Sequence, residues 1–249
     1  MSNIKTQQFW EERHINDFWN WVSQSEYWKT KYFTRQVGRG LVKFISKKIP
    51  KHLNHLDYGC GNGDLLNLLI KESRCLYYGL EYSEESAKLV ESNMSGFDNW
   101  KGCSILKSFP SELEAEKFEL ITFIETIEHL KDDMLEHTLT EIQRLLKKNG
   151  YLIITCPYDE NLSDNHVFCP FCNSEFHRMQ HMRSFNKETL PVLLESFGFK
   201  TVYCQNVNFG KLNDFKSALI YGLQHIMQIL KLKKYPKDNN PHLVGIFTK

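Results

Sequence analysis

Residues 55–64 read His55-Leu56-Asp57-Tyr58-Gly59-Cys60-Gly61-Asn62-Gly63-Asp64. The first half has the look of a short buried strand, and it runs directly into glycines at alternate positions. Asp64 to Lys71 then carries a helical pattern through Leu65, Leu66, Leu68 and Leu69. A glycine-rich turn between a strand and a helix lets the backbone approach a ligand closely and aims helix N–H groups at it. The spacing departs from the dinucleotide pattern G-x-G-x-x-G, because the third glycine arrives one position early, at Gly63, and Asp64 takes its place. Asp57, just before the loop, would repel a pyrophosphate but suits a ligand that carries an ammonium group.

Working outward, strands and helices alternate. Cys75 to Leu80 reads as a strand and Ser83 to Asn93 as a helix with Ser83 at its cap. Trp100 to Leu106 is a weaker strand and Phe118 to Ile124 a strong one. Asp133 to Lys148 reads as a helix stopped by Asn149-Gly150, and Tyr151 to Cys156 as a strand ended by Pro157. Lys187 to Ser196 is a further helix, and Phe199 to Val207 and Leu243 to Thr248 are strands. This order predicts an α/β fold, a Rossmann-like doubly wound and mostly parallel sheet with helices on both faces. Glu81 closes the second strand, where an acidic side chain accepts both hydroxyls of a ribose. A ribose, a nearby cation and no diphosphate describe S-adenosylmethionine (SAM) better than a nicotinamide dinucleotide.

These residues resemble a known family. Leu56 to Gly63 is similar to the first motif of the class I SAM-dependent methyltransferases, and Gly79-Leu80-Glu81-Tyr82-Ser83 to their second. Phe118-Glu119-Leu120-Ile121 and Leu146 to Leu152 resemble the fourth and fifth strands with their approach. The resemblance implies a seven-stranded sheet whose last strand is antiparallel. It also implies cofactor contacts from Asp57, Gly59, Cys60, Gly61, Gly63, Glu81 and Tyr82. The loop Lys107-Ser108-Phe109-Pro110 departs from the pattern, since it lacks the acidic residue usual beside the adenine.

The fourth strand runs into Glu125-Thr126-Ile127-Glu128-His129, at the strand end that faces the ligand crevice of such sheets. Two carboxylates and an imidazole at i, i+3 and i+4 share one face of a helical turn. Glu125, Glu128 and His129 can hold a divalent cation through oxygens and one nitrogen. Without a metal, Glu125 or His129 is the candidate catalytic base for an acceptor hydroxyl. This Glu-x-x-Glu-His resembles the metal-coordinating motif of ubiquinone-pathway O-methyltransferases. It is also similar to that of small-RNA 3′-terminal 2′-O-methyltransferases, in which a further histidine completes the site. Gln180-His181-Met182 lies about where that histidine is expected.

Residues 165–183 form an insertion with the pattern C-x2-C-x4-H-x3-H: Cys169, Cys172, His177 and His181, with His166 as a spare nitrogen. Two thiolates and two imidazoles at this spacing predict a structural zinc site. The readings compete for His181, which serves either the zinc or the active centre. The run resembles a subgroup of bacterial methyltransferases with a CPxC and His insertion.

Residues 1–50 hold Trp10, Trp19, Trp21 and Trp28, four of the five tryptophans, and predict an N-terminal helical layer whose aromatics pack on the core or wall the acceptor pocket. The main domain is expected over 51–249. A second insertion, over 212–236, reads as an amphipathic helix from Asp214 to Lys233 with a basic end. The chain has 249 residues, with 31 Lys+Arg against 30 Asp+Glu. Near-neutrality argues against an electrostatic nucleic-acid binder and favours a small-molecule acceptor. No apolar run reaches the ~18 residues of a membrane span, and the odd cysteine count, seven, speaks for reduced thiols in the cytoplasm. The expected activity is methyl transfer from SAM to a small acceptor, most simply at a hydroxyl oxygen. The alternatives are methylation of an RNA 3′ end at the same metal, or a non-catalytic SAM-binding regulatory module.

Overall fold

The computed structural model describes residues 5–6, 10–48, 53–71, 75–213, 219, 220, 223, 227 and 240–249. The chain begins with strand β1 (Lys5–Thr6), followed by helices α1 (Glu12–Gln24), α2 (Glu26–Lys29) and α3 (Phe33–Lys48). Alternation then sets in: β2 (Asn54–Tyr58), α4 (Asp64–Leu69), β3 (Leu76–Glu81), α5 (Glu84–Met94), β4 (Trp100–Ile105) and β5 (Phe118–Ile124). A single 3-10 turn over Ile127–His129 leads to α6 (Asp132–Leu145) and β6 (Leu146–Pro157). A hairpin of β7 (His166–Cys169) and β8 (Ser174–His177) interrupts the pattern before α7 (Thr189–Ser196), β9 (Lys200–Val207) and β10 (His242–Thr248).

The main sheet has seven strands in the order β4-β3-β2-β5-β6-β10-β9. Only β10 runs against its neighbours, pairing antiparallel with both β6 and β9. This is the predicted doubly wound sheet. Its strand order reverses between β2 and β5, and ligands of such sheets sit outside the strand ends at that point. Alternation along each strand feeds two cores. Leu56, Ile121, Phe123, Leu152 and Ile154 face α6 and α7 on one side. Leu120, Ile153, Val244 and Ile246 face α3, α4 and α5 on the other.

The N-terminal layer is helical, as expected, but it starts with a strand. β1 pairs with β8, so residues 5–6 and the hairpin make a second, three-stranded sheet. The helix expected over Asp133–Lys148 ends at Leu145. Leu146 is fully buried and already pairs with Phe118 on β5, so sheet formation takes over the residues that periodicity assigned to the helix. The amphipathic helix expected over Asp214–Lys233 falls almost wholly outside the described residues. Among the described residues, no helix is long and apolar enough to cross a membrane.

One polar chain runs through the sheet. Thr122 Oγ1 donates to Asp57 Oδ1 at 2.7 Å, which leaves His55 Nε2 to donate to Thr122 Oγ1 at 2.9 Å. His55 is buried, and that burial pushes its pKa down to about 3. The unfolded chain takes up this proton at about pH 6.5 and the folded chain does not. The share of stability is complete above that pH and falls by about 1.4 kcal/mol per pH unit as pH drops toward the folded value. A His55→Gln variant is expected to lose that share of the slope in urea unfolding between about pH 6 and pH 4. Equal slopes in variant and parent would place the proton elsewhere.

Candidate active site

A cavity of about 580 Å³ opens at the switch point between β2 and β5. Its floor is the glycine loop. Gly59, Gly61 and Gly63 all take positive φ, which side-chain-bearing residues rarely adopt. At Gly61 a Cβ would meet nothing within 4 Å, so the loop backbone there is open to a ligand. Asp57, Gly59, Cys60, Gly61, Glu81 and Tyr82 all line the cavity, whereas Gly63 lies just beyond it and caps α4.

Glu81 is the hinge of this floor. Its carboxylate accepts backbone N–H groups from Gly61 (2.8 Å), Tyr82 (2.9 Å) and Ser83 (3.0 Å), tying the loop to the end of β3. Burial raises its pKa, against the pull of those hydrogen bonds. Burial also pushes Asp57 up to about 7, with Thr122 opposing. Arg35 of α3 clamps Asp64, at the start of α4, at 3.0 Å. The opposite wall comes from α1, through Ile15, Asn16, Trp19, Asn20 and Ser23. Periodicity showed these residues as helical but not which face would meet the crevice. Trp19 stands edge-on to His129, ring centroids 4.8 Å apart.

At the far end of the cavity sits the Glu125–His129 segment. Glu125 takes φ 48°, a strained backbone for a non-glycine residue, and its N–H is held by the Thr155 carbonyl at 3.0 Å. Its carboxyl is buried, which pushes it up to about 7, and Oε1 has no hydrogen-bond partner. Glu128 is 2% exposed, and neither of its carboxylate oxygens has a partner. Burial and the charge of Glu125 both drive its pKa well above the usual carboxylate range.

The loop after β8 returns to this segment. Met182 N–H donates to the Glu128 carbonyl at 2.7 Å, and Gln180, at φ 59°, turns its carbonyl toward His129 Nδ1 at 3.4 Å. A carbonyl only accepts, so His129 carries its proton on Nδ1 and leaves Nε2 bare, 3.9 Å from Glu128 Oε1. Burial pushes His129 down to about 3, so the ring is neutral. His177 is fully buried, and its Nδ1 accepts the N–H groups of His181 (3.1 Å) and Met179 (3.3 Å). Its proton therefore sits on Nε2, 3.4 Å from Glu160 Oε1. The other oxygen of Glu160 lies 2.5 Å from His181 Nδ1. Burial opposes ionisation of Glu160, yet the bonds from His177 and His181 hold its carboxyl well below the usual range.

Among the described residues, two groups bring ligand atoms within 4.8 Å of one another: Glu128–His129–His181 and Glu160–His177–His181. The second is a hydrogen-bonded network. Two ligands on a tetrahedral ion stand about 3.3 Å apart for bonds of roughly 2.0 Å, whereas Glu160 and His181 are in direct hydrogen-bond contact. His181, held to Glu160 through Nδ1, belongs to both groups. The first group sets the Glu128 carboxyl, whose oxygens have no hydrogen-bond partner, beside the bare Nε2 of His129 and the ring of His181, next to Glu125.

The tetrahedral set Cys169, Cys172, His177 and His181 is not brought together. β7 and β8 pair Cys169 with Ser174 and His166 with His177, so the cysteines stand at the hairpin tip and the histidines at its base. Ser174 and His177 are an odd number of residues apart, which turns their side chains to opposite faces of the ribbon. His181 has gone to Glu160 and the Glu128–His129 pair. Glu160 is the residue that sequence reasoning missed. It lies in the loop after β6, far in sequence from both histidines, and only its nearness to the end of a central strand hinted at a role.

Comparison with known proteins agrees with this architecture. A family described as "Methyltransferase domain" matches residues 30–204, more than half of the chain. An uncharacterised protein of Methanocaldococcus jannaschii is 26% identical over 202 residues, covering 81% of this chain and 77% of that one. The structure of Burkholderia thailandensis 1,6-didemethyltoxoflavin-N1-methyltransferase, with bound 1,6-didemethyltoxoflavin and S-adenosylhomocysteine, superposes with a TM-score of 0.64 at 15% identity, over 96% of this chain and 89% of that one. A putative methyltransferase in complex with the Haloferax volcanii Trm112 methyltransferase activator gives a TM-score of 0.64 at 16% identity, over 93% and 97%. The glycine loop, the acid that closes β3 and the seven-stranded sheet thus belong to one family, and the chain is a class I SAM-dependent methyltransferase.

Proposed function

We propose that this enzyme methylates a hydroxyl oxygen of a small acceptor at a centre formed by Glu125, Glu128, His129 and His181. The observation that carries the reading is Glu128, buried with both carboxyl oxygens partnerless, within ligand distance of His129 and His181. Partnerless buried carboxylate oxygens cost several kcal/mol unless a proton or a cation satisfies them. Oxygen and imidazole donors with no thiolate suit Mg²⁺ or Mn²⁺. The residues that would hold such an ion are Glu125, Glu128, His129 and His181, and the chemistry it would supply is a lowered pKa for the acceptor hydroxyl.

SAM supplies a methyl group on a sulfonium, which departs as a neutral thioether. The chain's own part is then mainly positioning. Glu81 and the open backbone at Gly61 hold the nucleoside end, and Asp57 stands on the ammonium side. Glu125 lines the cavity; without an ion its carboxyl, pushed up to about 7 by burial, is the group to accept the hydroxyl proton. Trp19 and the rest of α1 wall the acceptor in and keep water from the reacting atoms.

Glu160 acts one step back, as a positioning residue. It fixes the tautomer of His181, as carboxylates behind metal-ligating histidines do. Glu160→Gln is expected to weaken Mn²⁺ binding by about 10- to 100-fold while leaving SAM affinity unchanged. Unchanged Mn²⁺ affinity would remove Glu160 from the centre.

A second reading puts the 2′-hydroxyl of an RNA 3′ end at the same centre. The observation in its favour is His181 beside Glu128 and His129, the feature that separates the RNA-methylating group from the ubiquinone-pathway group in sequence. A formal charge of +1 counts against it. A screen with methyl-labelled SAM against quinols, sugars and short RNA, with and without EDTA, tests both. EDTA-sensitive label on a small hydroxyl compound supports the first reading, and label confined to RNA supports the second. Transfer that EDTA leaves untouched, or that goes to nitrogen or carbon, contradicts both.

A further inference from the structure

We propose that the Cys169–Cys172 knuckle is half of a zinc site, completed by the same two cysteines of a second copy of this chain. The inference is independent of the acceptor reading, because it rests on the other end of the hairpin.

The donors come first. Cys169 closes β7 opposite Ser174, and the Cys172 thiol lies 3.2 Å from Ser174 Oγ, so both sulfurs gather on the Ser174 side of the tip. A C-x2-C turn presents two thiolates at the spacing of one ion, and soft thiolates select zinc over the hard cations of the active centre. Structural zinc takes four protein ligands. Alternation along the ribbon places Val167 and Phe176 with Ser174 on the cysteine face, and His166, Phe168, Glu175 and His177 on the other. None of the three residues sharing the cysteine face is a zinc ligand. His177 and His181 are engaged with Glu160, and the remaining cysteines belong to the main domain: Cys60, Cys75, Cys156 and Cys204 are buried and Cys103 is half-buried. Among the described residues, no group of clustered metal ligands includes a cysteine. Among the described residues, the knuckle therefore offers two ligands and lacks two.

The surroundings say where the other two come from. Phe171, between the cysteines, is 98% exposed, and Phe168 and Val167 are exposed beside it. A hairpin tip that is apolar and carries half a donor set is self-complementary about a two-fold axis. A second copy then supplies two thiolates and covers Phe171 at the tip and Val167 on the cysteine face. Four Zn–S bonds form as the four thiols release their protons to solvent, and nothing is oxidised or reduced. The hairpin so anchored ends in His177, so the contact also steadies the base on which Glu160 and His181 meet.

The test uses the full chain purified without chelator, with zinc measured by mass spectrometry and mass by sedimentation equilibrium. The expected result is a dimer that holds one knuckle zinc for every two chains, counted as the zinc lost in Cys172→Ser. That variant is expected to be monomeric and to bind SAM as the parent does, which certifies its fold. Cobalt substitution of the parent is expected to give a thiolate charge-transfer band of four-sulfur intensity. One cysteine-dependent zinc per chain in a monomer, a dimer that survives Cys172→Ser, a Cys169–Cys172 disulfide, or no cysteine-dependent zinc would each overturn the proposal.

Discussion

Glu128→Gln is expected to cut methyl transfer by about 10²-fold or more, the scale for losing a charged group that positions or activates a reacting atom. The substitution keeps the shape of the side chain and removes only its ability to meet a cation with full charge. Neither oxygen of Glu128 has a partner in the folded chain, so no structural hydrogen bond is lost and the melting temperature is expected not to fall. SAM affinity, measured by isothermal titration, is expected to stay within about two-fold, because Glu128 lies behind the cavity wall, apart from the glycine loop. The signature is a large loss of rate with neither instability nor cofactor loss. A variant as active as the parent would remove Glu128 from the chemistry.

Glu81→Ala is expected to show the complementary pattern. Glu81 organises the glycine loop through three backbone donors, those of Gly61, Tyr82 and Ser83, and is the residue we propose to accept the ribose hydroxyls. Charge-assisted hydrogen bonds are worth about 1.5–3 kcal/mol each. Losing the ribose contacts and loosening the loop together is expected to weaken SAM and S-adenosylhomocysteine by about 10²-fold or more. Mn²⁺ binding, which draws on side chains at the other end of the cavity, is expected to persist. Equal SAM affinity in variant and parent would place the cofactor elsewhere.

Local pattern was enough for the sheet and its cofactor loop. Each central strand is bounded by its own punctuation, such as Gly59 after β2 and Pro157 at the end of β6, and the glycine loop and Glu81 act through neighbours close in the chain. Legibility failed where tertiary pairing overrides local preference. Leu146 to Lys148 continue a helical period, but Leu146 buries its side chain and pairs with Phe118. Lys5–Thr6 are too few residues to signal a strand, and only the edge of β8 makes them one.

The zinc spacing misled for a related reason. C-x2-C-x4-H-x3-H counts residues along the chain, whereas a hairpin doubles the chain back and alternates its faces. The count thus joined a tip to a base. The proposed centre was half legible. Glu125, Glu128 and His129 fall within five residues and sit at a strand end that faces ligands. His181 and Glu160 reach them through two loops whose paths depend on the strained turn at Gln180 and on the fold of the hairpin.

Manganese titration followed by electron paramagnetic resonance, with S-adenosylhomocysteine present, tests the central claim most directly. The account predicts about one immobilised Mn²⁺ per chain, abolished in Glu128→Gln and in His181→Ala and retained in Cys172→Ser. Absence of bound Mn²⁺ in the parent, or binding that survives both active-centre substitutions, would contradict it.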